Sequence, residues 1–150
     1  MNGFRYGVGM VALLLAAETH VQGQQSPPAG RIKVALGSAF IVRQGQSIPA
    51  QIGQVVFEAD GLRTAADGRL GVTLNDDTRV SLGPGSEVRL DQFQYAPAEG
   101  RLGFVLKIFR GVVAYVSGRI AKLSPDSIRL ETPSAVVGVR GTRVAIRVVP

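Results

Sequence analysis

The sequence predicts an all-β fold built from short strands. Apolar and polar residues alternate with a period of two in several stretches, and turn-forming residues recur about every eight to ten residues. Gly (19) and Pro (8) are frequent, and no stretch shows the apolar spacing of a convincing helix. The expected architecture is a twisted β-roll or sandwich of short antiparallel strands, or a few solenoid-like coils.

The N-terminus has the pattern of a secretory signal peptide. A single basic residue, Arg5, precedes an uncharged apolar run from Gly7 to Ala17. This run covers about half of a ~30 Å hydrocarbon core, which favours a cleaved leader over a membrane span. Small residues at Val21 and Gly23 predict cleavage after Gly23. An uncleaved N-terminal anchor and cleavage after Ala17 are the alternatives.

Composition limits the classes of partner. The 150 residues support about one domain, and the absence of Cys excludes a disulfide or an acylated lipoprotein cysteine. No later segment is apolar enough to span a bilayer, so we expect a periplasmic or secreted protein with no membrane span after cleavage. The net charge of +6 comes mainly from scattered arginines. Export makes nucleic acid an improbable partner, whereas an anionic glycan, a lipid head group or an acidic protein face fits this charge.

The predicted organisation is a signal peptide (1–23), a Pro-rich linker (24–30) and one β domain (31–149). The domain opens with two strands, RIKVAL and AFIVR, joined by a tight turn at Gly37-Ser38. The clearest alternation follows in residues 63–90, where turns interrupt short strands. The apolar positions expected to face the core there are Leu70, Val72, Leu74, Val80, Leu82, Val88 and Leu90.

The C-terminal half continues the pattern. Residues 101–120 predict a pair of strands with a bend at Gly111, and a turn is expected at Ser124 to Asp126. SIRLETP is a short strand that ends at Pro133, and RVAIRV closes the domain. In that last strand Val144, Ile146 and Val148 face one way, and Arg143 and Arg147 face the other.

Residues 138–142, which we call the Arg140 corner, combine glycine with a charge inside a strand-like region. A phosphate-binding loop requires a Lys-Ser/Thr pair and a following helix, whereas Gly141-Thr142 leads directly into a strand. We therefore expect Gly138 and Gly141 to permit unusual torsions or a close approach of strands. Arg140 is expected to point to solvent or to a carboxylate.

The arrangement of these blocks closely resembles the FecR domain, the extracytoplasmic domain of regulators that relay iron-siderophore signals to sigma factors. The resemblance covers about Ile32 to Val148. The matching positions are Asp60, Leu62, Arg63, Thr64, Gly68, Asp76, Asp77, Thr78, Leu82, Ser86, Tyr95, Gly111, Thr132, Pro133, Gly138, Arg140, Gly141 and Thr142. Ala65, Asp77 and Val144 depart from the usual family residues, although Asp tolerates the left-handed torsion that a turn requires.

The resemblance implies a β-rich envelope module that acts by contacting another protein. The signalling members carry a cytoplasmic anti-sigma segment and a transmembrane helix that this sequence lacks, so we expect a role other than direct control of a sigma factor. Partner binding or internal bracing of the fold is predicted for Arg63, Thr64, Arg140, Gly141 and Thr142. The open alternative is a protein that binds a cell-envelope glycan or another envelope surface.

We expect no enzymatic activity, cofactor or metal. The one histidine, His20, lies next to the leader, and there is no Cys. A weaker alternative is a hydrolase with a carboxylate pair drawn from Glu58, Asp60, Asp76 and Asp77. Ca²⁺ at Asn75-Asp76-Asp77 requires more oxygen ligands than that turn supplies. Phe104, Phe109 and Tyr115 fit core or edge packing better than a sugar-stacking platform.

Overall fold

The computed structural model describes Gly3 and residues 26–149. Apart from Gly3, the predicted signal peptide lies outside the described residues. The described chain is almost entirely β-structure, which confirms the predicted fold class. Its strands are β1 (Pro28–Leu36), β2 (Ala39–Arg43), β3 (Gln46–Pro49), β4 (Val55–Phe57), β5 (Gly61–Thr64), β6 (Arg69–Leu74), β7 (Arg79–Leu82), β8 (Glu87–Ala96), β9 (Arg101–Val116), β10 (Ile128–Glu131), β11 (Val136–Gly138) and β12 (Arg143–Val148).

Three short helical segments interrupt the strands. A 3₁₀ turn, Pro97–Glu99, joins β8 to β9. The helix α1 (Arg119–Leu123) and a second 3₁₀ turn, Pro125–Ser127, follow β9. The turn predicted at Ser124 to Asp126 therefore overlaps the second 3₁₀ turn, and the five-residue α1 was not predicted because a single helical turn has no periodic apolar pattern.

The strands form one continuous sheet of twelve strands in which β9 belongs to two halves. We call sheet A the half formed by β1, β4, β6, β7, β12 and the C-terminal part of β9. Sheet B is formed by β2, β3, β5, β8, β10, β11 and the N-terminal part of β9. The inward side chains of both halves join in one hydrophobic core, so the sheet curls around a single interior.

The first two strands are correctly predicted but do not pair with each other. β1 pairs with β4 and β6, whereas β2 pairs with β3 and β5. β1 also begins at Pro28, three residues before the predicted start of the domain, and Ala29 is buried. The chain thus passes from sheet A to sheet B at Gly37-Ser38 instead of closing a hairpin there.

β9 is a single strand of 16 residues where the sequence predicted two strands with a bend. The bend is present: Gly111 has φ +92°, and beyond it the strand changes partners from β8 and β10 to β7 and β12. The backbone of Gly111 lies against Ser86, whose hydroxyl accepts the Val112 N–H at 3.0 Å. This hydrogen bond holds the strand together through the bend, so pairing continues on both sides of it.

One strand pair departs from the predicted antiparallel arrangement. β10 runs parallel to the first half of β9, with Ile128 opposite Phe104 and Leu130 opposite Leu106. A parallel pair requires a crossover connection, and α1 with its following 3₁₀ turn supplies it. All the positions predicted to face the core in residues 63–90 are buried, as are Phe104 and Tyr115.

Candidate functional site

Thr64 braces the fold. Its side chain is only 1% exposed. The Thr64 hydroxyl donates to the Gly83 carbonyl at 2.7 Å and accepts the Ser86 N–H at 3.0 Å. These bonds connect the end of β5 to the turn between β7 and β8, where the chain passes from sheet A to sheet B. The geometry therefore supports internal bracing for Thr64.

Arg63 has a different environment from its neighbour because successive residues of a strand point to opposite faces. Its guanidinium donates to the Ser47 hydroxyl at 2.9 Å and lies 5.2 Å from the centre of the Phe40 ring. Both contacts are on the outer side of sheet B. Arg63 therefore links β5 to β2 and β3 at the surface and stays partly accessible.

Asp60 ties β2, β4 and β8 together. Its buried carboxylate accepts two hydrogen bonds from Arg43, at 2.9 and 2.7 Å, and one from the Phe57 N–H at 2.8 Å. Its backbone carbonyl accepts the Leu90 N–H at 3.0 Å. The side-chain hydrogen bond with Asp60 raises the pKa of Arg43. Sequence reasoning missed Arg43, since it lies 17 residues away on another strand.

Asp76 anchors α1 from the turn between β6 and β7. One carboxylate oxygen accepts the Thr78 N–H at 3.1 Å, and the other accepts the Thr78 hydroxyl at 2.8 Å and the Ile120 N–H at 3.2 Å. Its backbone carbonyl accepts the Arg119 N–H at 2.7 Å. Asp77 adopts φ +70°, the left-handed torsion that the sequence predicted an Asp could tolerate at this turn.

The acidic residues do not form a catalytic pair in this geometry. The oxygens of Asp60 and Asp76 are occupied by structural hydrogen bonds, and Asp77 forms an exposed ion pair with Arg119 at 3.3 Å. Glu58 accepts the Phe93 N–H at 2.9 Å. Within residues 26–149 no cluster of three or more His, Asp or Glu side chains could hold a metal ion.

The predicted aromatic platform separates into two environments. Phe104 and Tyr115 pack against each other in the core, with ring centres 5.6 Å apart, whereas Phe109 is 41% exposed. Arg89 lies over the Phe109 ring at 5.5 Å. Burial, together with the charge of Asp76, raises the pKa of Tyr115 to about 12. These three rings therefore cannot stack on one sugar.

The C-terminal residues are much more exposed than the buried residues Asp60, Thr64, Asp76 and Ser86. β11 pairs with β10 at the margin of sheet B, and Val136 is 65% exposed. Val139, 5% exposed, is the one residue of the Arg140 corner that packs in the core. Arg140, Gly141 and Thr142 are exposed around it. The Thr142 carbonyl accepts the Ser117 N–H at 2.9 Å, which holds the corner against the end of β9.

The two glycines of the Arg140 corner differ. Gly141 has φ +154°, a torsion that is unfavourable for residues with a side chain. Gly138 has no positive φ, and a side chain there would meet open space. The expectation of an unusual torsion or a close approach is therefore wrong for Gly138. β11 lies at the edge of the sheet, and nothing packs over that position. Arg140 points to solvent and has no ion-pair partner within the described part of the chain.

The Arg140 corner forms one wall of a groove of about 520 Å³. The opposite wall comes from α1 and the 3₁₀ turn after it, through residues that include Lys122 and Asp126. The groove leads to the start of β12, the last strand. Within residues 26–149 β12 pairs with β9 alone, so its other edge is uncovered. Arg63 and Thr64 lie on β5 in sheet B and are not part of this groove.

Comparison with models of known protein families gives a match for this chain. The model of the family described as FecR protein matches residues 60–149. The chain belongs to the FecR protein family. The match begins at the buried Asp60 and includes the Arg140 corner and β12, and membership is consistent with a non-enzymatic signalling or regulatory module. No curated protein and no solved structure matches the chain.

In the part of the FecR chain that the structure describes, no helix has the length and apolar character needed to cross a membrane.

Proposed function

We propose that this FecR protein is an exported, non-enzymatic interaction module whose β12 edge binds a strand of a partner protein in the cell envelope. The observation that carries the proposal is the uncovered edge of β12, a strand of six residues. An extended peptide can add to such an edge through main-chain hydrogen bonds. Family membership supports a regulatory role, for which contact with another protein is the expected means.

The direction of the free backbone groups follows from one hydrogen bond. Ser117 N–H donates to the Thr142 carbonyl, and in an antiparallel pair such bonds occur at every second residue. Val144, Ile146 and Val148 therefore direct their N–H and C=O groups towards β9. Arg143, Ala145 and Arg147 direct theirs to the free edge, where a partner strand would find alternating donors and acceptors.

Side-chain charge indicates the chemistry of the partner strand. Arg143 and Arg147 are exposed on β12, and Arg140 and Lys122 line the groove at its start. Asp126 is the one acid among the residues that line the groove. An acidic extended segment complements this arrangement, because its carboxylates pair with the arginines while its backbone pairs with the edge.

The experiment that tests the proposal blocks the edge without changing its charge. Ala145→Pro removes an N–H that points away from β9, so the β12–β9 pairing is retained, and proline is tolerated on edge strands. Ala145→Val is the matched control, since it keeps the N–H. Tagged wild-type and variant proteins are crosslinked in the periplasm of the native host after melting curves confirm that all are folded.

We expect a crosslinked species that is present with wild type and Ala145→Val and absent with Ala145→Pro. If every captured species survives Ala145→Pro, the β12 edge is not the binding site. Further, Arg140→Ala should weaken the capture, whereas Arg63→Ala should leave it unchanged, because Arg63 lies on sheet B away from the groove.

Export is a separate part of the proposal. It rests on the apolar run from Gly7 to Ala17 and the small residues Val21 and Gly23. Fractionation of the native host should place the protein in the periplasm or the medium, and N-terminal sequencing should find Gln24 first. Recovery of uncleaved protein from the cytoplasm would refute export. The crosslinking test of partner binding would then be repeated in the cytoplasm.

A further inference from the structure

The outer face of sheet A carries arginines but no acidic residue. Its cationic side chains are Arg31, Lys33, Arg69, Arg79, Arg143 and Arg147, all exposed. The strands β1, β4, β6, β7 and β12 and residues 111–116 of β9 contain no Asp or Glu; acids occur only in the turns, such as Asp67 and Asp77. None of the five arginines forms an ion pair with a described residue. Arg31 donates to the Gly53 carbonyl at 2.9 Å, and the other four remain available.

Sheet B shows the opposite arrangement. Arg110 pairs with Glu87 at 3.4 Å, and Lys107 lies 3.2 Å from Asp91 and 3.9 Å from Glu131. Arg89 also pairs with Asp91. These three cations are thus balanced by acids, whereas Arg63 and Arg129 of sheet B have no acidic partner among the described residues. Acids therefore balance part of the charge of sheet B, whereas the strands of sheet A contain none, so the larger excess of unpaired arginines on sheet A is a property of that face.

Strand register places the four available arginines in two rows. Arg143 and Arg79 both lie opposite Val116, on either side of β9. They are two strands apart, or about 10 Å. Arg147 lies opposite Val112 at the other end of the same stretch. Arg69 belongs to that second row, because Leu70 next to it is opposite Leu82 on β7. The two rows are four residues, about 13 Å, apart along the strands.

Aliphatic side chains share this face with the arginines. Leu36 is 57% exposed, Val34 45% and Val112 37%. Between the rows lie small residues, Ala145 and Ser81 among them. No aromatic side chain points outward from β1, β6, β7, residues 111–116 of β9, or β12, since Tyr115 is buried. A mixture of arginine and exposed aliphatic groups suits a lipid interface, where the cations meet head groups and the aliphatic groups meet acyl chains.

We propose that the outer face of sheet A docks on a membrane surface rich in anionic phospholipid. The arginines bind lipid phosphates, and Leu36, Val34 and Val112 contact the acyl boundary. This surface shares Arg143 and Arg147 with β12, but its central cations, Arg69 and Arg79, lie on inner strands away from the β12 edge. Each arginine near an anionic membrane is expected to increase partitioning about five-fold at physiological salt.

The test measures cosedimentation of the mature protein, residues 24–150, with vesicles of phosphatidylglycerol and phosphatidylcholine. Arg69→Gln/Arg79→Gln removes two arginines from the face of sheet A. Arg110→Gln/Arg129→Gln is the matched control, since it removes two exposed arginines from sheet B and gives the same net charge. Circular dichroism and melting curves confirm that both double variants fold.

We expect binding to phosphatidylglycerol vesicles and not to phosphatidylcholine vesicles, with a fall of about 25-fold in the sheet A variant. The sheet B control should change by less than about three-fold, because its charges lie beyond a Debye length of ~8 Å from the membrane. Equal losses in the two double variants, or no preference for phosphatidylglycerol, would overturn the proposal. Binding of soluble dextran sulfate through Arg69 and Arg79 without vesicle binding would also overturn it.

The outcome is independent of the proposed protein-binding function. Ala145→Pro keeps all the arginines and should bind phosphatidylglycerol vesicles as wild type does. Loss of vesicle binding in Ala145→Pro would contradict the assignment to the face, because it would place the lipid contact at the strand edge.

Discussion

Replacement of Gly111 by Ala should strongly destabilise the domain. Gly111 has φ +92°, and a Cβ added there would lie 2.3 Å from the Ser86 Oγ and 2.4 Å from the Ser86 Cα. The torsion costs about 1–3 kcal/mol for a residue with a side chain. The overlap requires a backbone shift that costs a further 1–3 kcal/mol or so. We therefore expect the free energy of unfolding to fall by about 2–6 kcal/mol.

The assay is thermal and urea unfolding of the purified mature protein. At ~3–5 °C per kcal/mol for a domain of this size, Tm should fall by about 6–30 °C. Gly103→Ala is the matched control in the same strand: its Cβ would first meet the flexible amide of Gln92, at 3.1 Å. A loss within about 1 kcal/mol is expected there. If the two variants lose equal stability, the bend at Gly111 is not held by contact with Ser86, and the account of β9 fails.

Three further changes test the bracing contacts. Thr64→Val should lower the free energy of urea unfolding by about 2 kcal/mol, because it leaves the Ser86 N–H and the Gly83 carbonyl unpaired. The exposed Thr142 is the control, and Thr142→Val should change stability by less than ~0.5 kcal/mol. Equal effects would contradict the different burial of the two threonines. Asp60→Asn should lower the free energy of unfolding by about 2–4 kcal/mol, because it removes the buried ion pair with Arg43. If Asp91→Asn at the surface costs as much, burial does not strengthen the Asp60–Arg43 pair. Tyr115→Phe should raise stability by about 1 kcal/mol at pH 7, since the buried Tyr115 hydroxyl has no partner among the described residues. The pKa of Tyr115 is raised to about 12 in the folded state, so the phenol ionises first in the unfolded state as the pH rises. Wild type should therefore lose up to ~2.7 kcal/mol of stability relative to Tyr115→Phe between about pH 10 and 12. Parallel pH profiles of the two proteins would refute this.

Local patterns were sufficient to predict most of the longer strands and their inward faces, but not the short strands β3, β4, β5 and β11. Leu70, Val72 and Leu74 are all buried because the period of two places them on one side of β6. The same rule placed Val144 and Ile146 on one face of β12. These predictions required only the spacing of apolar residues along one strand, so distant parts of the chain did not affect them.

Strand pairing could not be predicted in the same way. The separation of β1 and β2 into different sheets, and the parallel pairing of β10 with β9, depend on contacts between residues far apart in the sequence. Gly111 marked the bend, but the continuity of β9 depends on Ser86 from the turn before β8. A local pattern contains no information on such a partner.

The candidate site was predicted in part. The sequence left open whether Arg63, Thr64 and the Arg140 corner bind a partner or brace the fold. Burial and hydrogen bonds favour bracing for Thr64, whereas the exposed Arg140 lines the groove at the start of β12. Recognising β12 as a free edge required the sheet order, which no single segment contains. Whether the corner binds a partner stays a prediction.

Amide hydrogen exchange on β12, measured residue by residue by NMR, tests the central claim most directly. In the free protein, Val144, Ile146 and Val148 should exchange slowly because their N–H groups bond to β9, whereas Arg143, Ala145 and Arg147 should exchange rapidly. Slow exchange at Ala145 equal to that of Val144 and Ile146 would mean that the edge is already covered, and it would contradict the proposal that β12 is open to a partner strand.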